Sequence, residues 1–130
     1  MLNRIFLMGR LTKDVEMRIT QSGTHVANTT VAVDRDFQSG GSEKQTDFID
    51  VVAFKNTAEF LERNFRKGQM ICVAGRLQSR KWEDKNGQNR VSWEVVTENA
   101  WFCGDKPKAT PNVRAADFED LGDDDGGLPF

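Results

Sequence analysis

The chain holds only two cysteines, Cys72 and Cys103, and a single histidine, His25. Zinc sites draw on clustered Cys and His at short spacings, and these residues form no such cluster. Free, mostly buried thiols are the expectation, with no metal. No apolar run approaches the roughly 20 residues that a membrane span needs, and the N-terminus lacks a signal-peptide pattern. A soluble, cytoplasmic chain is therefore expected, with no membrane partner. Catalytic groups are equally sparse. There is no Ser/His/Asp combination and no Gly-rich phosphate loop, Gly40-Gly41 being too little, and the carboxylates are scattered over turns. This excludes the common enzyme classes and implies no cofactor.

Charge of one sign is not lacking, but it is segregated. The 130 residues carry a net charge of −2. Residues 1–104 hold 15 Lys and Arg against 13 Asp and Glu, a balance of +2, while residues 105–130 hold 3 against 7, a balance of −4. The pattern predicts a domain over 1–104, large enough for a real core, followed by an acidic tail over 105–130. Past Cys103 the hydrophobic alternation stops, and the tail is expected to be disordered in the free protein.

Within the first segment the alternation has the period of strands. Residues 3–11 read as a strand with Ile5, Leu7 and Leu11 on one side and Arg4, Phe6, Met8 and Arg10 on the other. Gly9 interrupts it as glycine does at barrel corners, and Val15 to Thr20 continues around the corner. Val26 to Arg35 forms the next strand and residues 47–55 the one after. Asn56 to Lys67 reads as the helix, with Ala58, Leu61 and Phe65 on one face, widened by Phe60, Asn56 and Glu59 as a capping box, and Gly68 as the stop. Met70 to Phe102 is a long hairpin whose tip, residues 83–88, contains Asn-Gly. Strand, strand, strand, helix, strand, strand is the order of an all-β OB-fold, a five-stranded Greek-key barrel with one helix between strands three and four.

The aromatic residues divide by position. Phe60, Phe65 and Trp93 fall at core positions. Phe37, Phe48, Phe54 and Trp82 sit in loops, at strand ends or on a polar parity, where flat rings suit base stacking. Arg4, Arg10, Arg35, Lys55, Arg76, Arg80, Lys81 and Arg90 recur at the same strand ends and form the candidate phosphate set, interrupted by Asp34, Asp36 and Asp50. Such interleaving points to single-stranded nucleic acid. At the C-terminus Asp123, Asp124 and Asp125 precede Gly126-Gly127 and then Leu128, Pro129 and Phe130. An acidic run ending in apolar residues and a free carboxylate suits capture by a basic-rimmed apolar pocket on a partner.

Asn3-Arg4-Ile5-Phe6-Leu7-Met8-Gly9-Arg10-Leu11, Val26-Ala27-Asn28, Asp47 to Phe54, Arg66-Lys67-Gly68, Gly75-Arg76-Leu77, Arg80-Lys81-Trp82 and the Leu-Pro-Phe end together resemble the bacterial-type single-stranded DNA-binding proteins, including those of phages. The resemblance implies an OB-fold homotetramer that binds single-stranded DNA without sequence preference during replication, recombination and repair, and is nucleoid-associated. It places Phe37, Phe48, Phe54 and Trp82 at the family's stacking positions. Relatives often carry tryptophan at the first two, which implies weaker stacking here, and some carry a basic residue at Asp50. Residues 123–130 match the tip through which relatives recruit replication and repair enzymes, although Gly126-Gly127 separates its acidic and apolar parts. An RNA-binding OB protein and a protein-interaction module of a replication complex are the alternatives.

Overall fold

The computed structural model describes residues 1–36 and 44–104. The elements run β1 (Ile5–Leu11), β2 (Glu16–Ile19), β3 (His25–Asp34), β4 (Thr46–Phe54), α1 (Lys55–Asn64), β5 (Met70–Glu83) and β6 (Asn89–Phe102). The sheet order is β1-β5-β6-β4-β3-β2, and a further β1–β3 pairing closes it into a barrel. Taking β1 and β2 as one bent first strand, this is the expected five-stranded OB-fold with its helix between the third and fourth strands.

Alternation fills the barrel. Leu11, Val31, Val51, Ala53, Ile71, Val73 and Val95 point inward and are buried, and Ala58, Leu61 and Phe65 join them from the helix side. Phe102 stacks on Phe65 with ring centroids 4.9 Å apart, and Phe60 meets both edge-on at 6.0 Å. Phe60 thus forms the partly exposed margin of the core. Two glycines allow the closure. A Cβ on Gly9 would run into the backbone of Ala32, where β1 crosses to β3. One on Gly75 would meet the carbonyl of Val96, at a bulge where β5 and β6 shift register between Ala74 and Gly75.

At the other end of β1, the Asn3 side chain extends the β1–β5 ladder. Its Nδ2 donates to the Leu77 carbonyl at 2.7 Å, and its Oδ1 accepts from the Leu77 N–H at 3.0 Å.

Three sequence expectations change. The helix starts one residue earlier and ends three earlier than expected, at Lys55 and Asn64, and Asn56 does not cap it. The N-cap position is Phe54, with no side-chain cap. Lys55 makes the junction with φ +56°, a conformation uncommon for a side chain of this size, so strand passes straight into helix. After Asn64 the chain turns extended at Phe65, which satisfies its own N–H on the Leu61 carbonyl. Arg66 and Lys67 therefore lie past the helix.

Trp93 is not in the core but 61% exposed. Its parity is right, since it shares a side with buried Val95, but β5 and β6 run on past the end of the barrel and have no core beneath them. Cys72 and Cys103 are free, as expected, but half-buried rather than mostly buried.

Candidate nucleic-acid interface

Registers of four strands place one set of side chains on a continuous outer face. Phe48, Asp50, Val52 and Phe54 of β4 lie beside Ala32, Thr30, Asn28 and Val26 of β3. On the other flank, Asp50 and Val52 neighbour Glu94 and Val96 of β6 in parallel register. Arg76, Gln78, Arg80 and Trp82 of β5 then oppose Val96, Glu94, Ser92 and Arg90. Val26, Val52 and Val96 form a small buried cluster separate from the main core, a floor to this face. Val52 carries the polar parity in sequence, and its burial comes from these valines on both neighbouring strands.

Three aromatic side chains stand on the face: Phe48 at 69% exposed, Phe54 at 39% and Trp82 at 44%. A half-exposed indole is normally free to swing, but here Trp82 Nε1 donates to Ser92 Oγ at 2.7 Å across the hairpin. That bond fixes the ring while leaving a π-face to solvent. Phe37 lies outside the described residues, as do Asp123, Asp124, Asp125, Leu128, Pro129 and Phe130.

The cations are distributed more widely than the sequence suggests. Arg76, Arg80 and Arg90 share the aromatic face. Arg76 donates to Gln78 Oε1 at 3.1 Å, and Arg80 lies 4.0 Å from Glu94, whose carboxylate also accepts from Gln78 Nε2 at 2.8 Å. Arg90 is held at 3.1 Å by Asp84. Arg35 is engaged by Asp47 through two hydrogen bonds of 3.0 and 2.9 Å, with Gln45 taking a third. Arg4 pairs with Glu98 on the outside of the β1–β5 wall. Arg10 belongs to that wall too, donating to the Gly68 carbonyl at 3.0 Å. Lys55 follows Phe54 directly, and Lys81 projects from the reverse side of the hairpin. The structure brings Arg76, Arg80 and Arg90 onto the face of Trp82 and leaves Arg4 and Arg10 apart from it.

Carboxylates shape the same surface. Asp50 sits beside Glu94 in the middle of the face and accepts from Thr30 Oγ1 at 2.9 Å. Asp47 is held below the usual carboxylate range chiefly by its hydrogen bond to Arg35. Asp84 is held low as well, first by the N–H of Gln88 and then by Arg90 and the N–H of Asn86. One Asp84 oxygen accepts both N–H groups at 2.9 Å, which makes this side chain the organiser of the hairpin tip. The sequence shows the Asn-Gly turn readily. Asp84, two residues before Asn86, is the signal for the closure around it, since aspartate bonds to backbone two residues on.

Among the described residues no group of three or more His, Cys, Asp and Glu is placed to hold a metal ion, and no helix is long and apolar enough to cross a membrane. Burial pushes the Cys103 thiol up, with Cys72 nearby adding to the effect.

The single-strand binding protein family matches residues 2–103. A single-stranded DNA-binding protein 1 of Staphylococcus aureus (strain MSSA476) is 46% identical over 110 residues, covering 85% of this chain and 69% of that protein. A single-stranded DNA-binding protein of Caldanaerobacter subterraneus is 37% identical over 142 aligned positions, covering 100% of this chain and 95% of its own length. Among solved structures, a Plasmodium falciparum SSB in complex with ssDNA superposes with a TM-score of 0.69 at 26% identity, covering 77% of this chain and 91% of that one. With its barrel, its helix and most of its length matched, the chain belongs to the single-strand binding protein family.

Proposed function

We propose that this chain binds single-stranded DNA without sequence preference and protects it during replication, recombination and repair. The observation that carries the reading is the shared outer face of β4, β6 and β5, where Phe48, Phe54 and Trp82 stand exposed among Arg76, Arg80 and Arg90. Bases stack on the three rings and on Phe37, each stack contributing ~1–3 kcal/mol whatever the base. Lys55, Arg76, Arg80, Lys81 and Arg90 neutralise phosphates. Arg35, Arg4 and Arg10 contribute to the extent that phosphate displaces Asp47, Glu98 and the Gly68 carbonyl. The central carboxylates, Asp50 and Glu94, repel phosphate. They favour a strand lying with its bases toward the valine floor and its backbone along the arginines at the margin.

The protein acts as a homotetramer in this reading. Phe6, Met8 and Trp101 are exposed on the outside of the β1–β5–β6 wall, where the registers Met8↔Cys72 and Cys72↔Trp101 set them in one band. An apolar band of this kind suits a second copy of the chain. The tip, residues 123–130, recruits replication and repair enzymes, and the whole is cytoplasmic and nucleoid-associated.

The test is a titration of intrinsic tryptophan fluorescence with long oligo-dT and matched oligo-U at two salt concentrations. Strong quenching is expected, with DNA preferred. Affinity should fall by ~0.7 log units per log of salt for each phosphate neutralised. Weak binding, or a preference for RNA, would overturn the reading.

A further inference from the structure

We propose that the reverse face of the hairpin, with Trp93 and Lys81, is a second stacking platform for the same DNA strand, which therefore passes around the hairpin's far end. The inference rests on the single-stranded DNA reading above. Trp93 lies opposite Ser79, and Lys81 lies opposite Val91, one step further along the same face. The indole faces the small Ser79 across the ribbon, and at 61% exposure it is the most exposed tryptophan of the described residues. Among the described residues Lys81 forms no ion pair, whereas Arg80 and Arg90 on the front face both lean on carboxylates. Glu83, opposite Asn89, is the one carboxylate on this side of the projecting hairpin.

The two faces are continuous. A hollow of about 420 Å³ at the far end is lined by Trp82 and Arg90 from the front and by Lys81, Glu83, Asn89 and Val91 from the reverse. A strand leaving Trp82 meets cations on both sides of the edge before it reaches Trp93. A second copy of the chain fits this face less well. Leu77, Val91 and Trp93 are its exposed apolar side chains, and three side chains offer far less than the ~800 Å² per partner of a stable interface.

Trp93→Thr, an exchange at an exposed strand site, tests the platform in the full chain. The expected result is a loss of about tenfold in affinity for long oligo-dT, as one lost stack predicts. Affinity for a dT oligomer of about six nucleotides, near the low end of what one OB-fold covers, should not change. A 5-iododeoxyuridine oligomer should also photocrosslink to Trp93. Unchanged affinity for the long oligomer, or a changed sedimentation coefficient of DNA-free Trp93→Thr, which would make the face a contact between copies, overturns the proposal. Trp82→Ala separates the two readings. If it alone weakens binding, only the second platform falls; if neither variant weakens binding, the DNA-binding face itself falls.

Discussion

The β5–β6 ribbon is two structures in one. From Met70 to Gly75, with Thr97 to Phe102 opposite, it is barrel wall, and Ile71 and Val73 are completely buried. From Arg76 to Trp82, with Arg90 to Val96 opposite, most of its side chains on both faces meet solvent. The alternation of residue types hardly changes from one half to the other. What changes is whether a core lies beneath. Residues in the wall hold the fold together, and residues in the projecting arm are free to meet a ligand, so substitutions in the two halves should separate stability from binding.

The sharpest separation comes from Ile71→Ala. Deleting most of a fully buried side chain should cost about 3 kcal/mol in urea unfolding, while oligo-dT affinity of the folded fraction stays within twofold. Trp82→Ala should do the reverse. Binding to dT, dA and dC homopolymers should weaken by ~1–3 kcal/mol, and the urea midpoint should barely move, because the ring is half-exposed and its one hydrogen bond is to Ser92. A large loss of stability in that variant would break the division between wall and arm.

How far this division was legible in the sequence depends on the residue. Phe48, Phe54 and Trp82 stand on the polar parity of their strands, and parity alone placed them outward. Trp93 stands on the apolar parity, and parity alone placed it in the core. Alternation reports which side of a sheet a residue faces, not how far the sheet runs beyond the residues packed behind it. That limit also explains Val52, whose burial needed Val26 and Val96 from neighbouring strands. The cations were readable as a set but not as individuals. Nothing local to Arg4 or Arg35 announces Glu98 or Asp47, which arrive through pairing 94 and 12 residues away. The helix start failed for a comparable reason: Lys55 takes a backbone conformation that no propensity favours, and this moved the boundary off Asn56.

A smaller effect sharpens the picture of the binding face. Asp50→Lys exchanges a central carboxylate for a cation beside Glu94. Affinity for oligo-dT should rise a few-fold at low salt, and the salt slope should steepen by about 0.7 as one more phosphate is neutralised. An unchanged slope would place the backbone away from the centre of the face, with bases there instead. The smallest expected effect concerns the tip. Asp84 titrates below its ordinary value because Gln88, Arg90 and Asn86 bond its ionised form. A depressed carboxylate contributes order fully above its unfolded pKa of ~3.9 and loses it as pH falls through the lower folded value. Amide exchange at Asn86 and Gln88 should therefore be protected near neutrality and lost in that acid window, with the barrel amides still protected.

Asn3 carries a consequence for how the molecule comes into being. Its carboxamide grips the backbone of Leu77, 74 positions later, and the strand behind it pairs with Gly75 and its neighbours. The first strand thus has no complete partner until Met70 to Leu77 have left the ribosome. Contacts so distant in sequence must pay loop-closure entropy before they are rewarded, which slows folding. Closure of this barrel is accordingly a late step of folding. Until it occurs, the nascent chain carries an unpaired strand bearing Phe6 and Met8, the kind of segment that chaperones exist to shield.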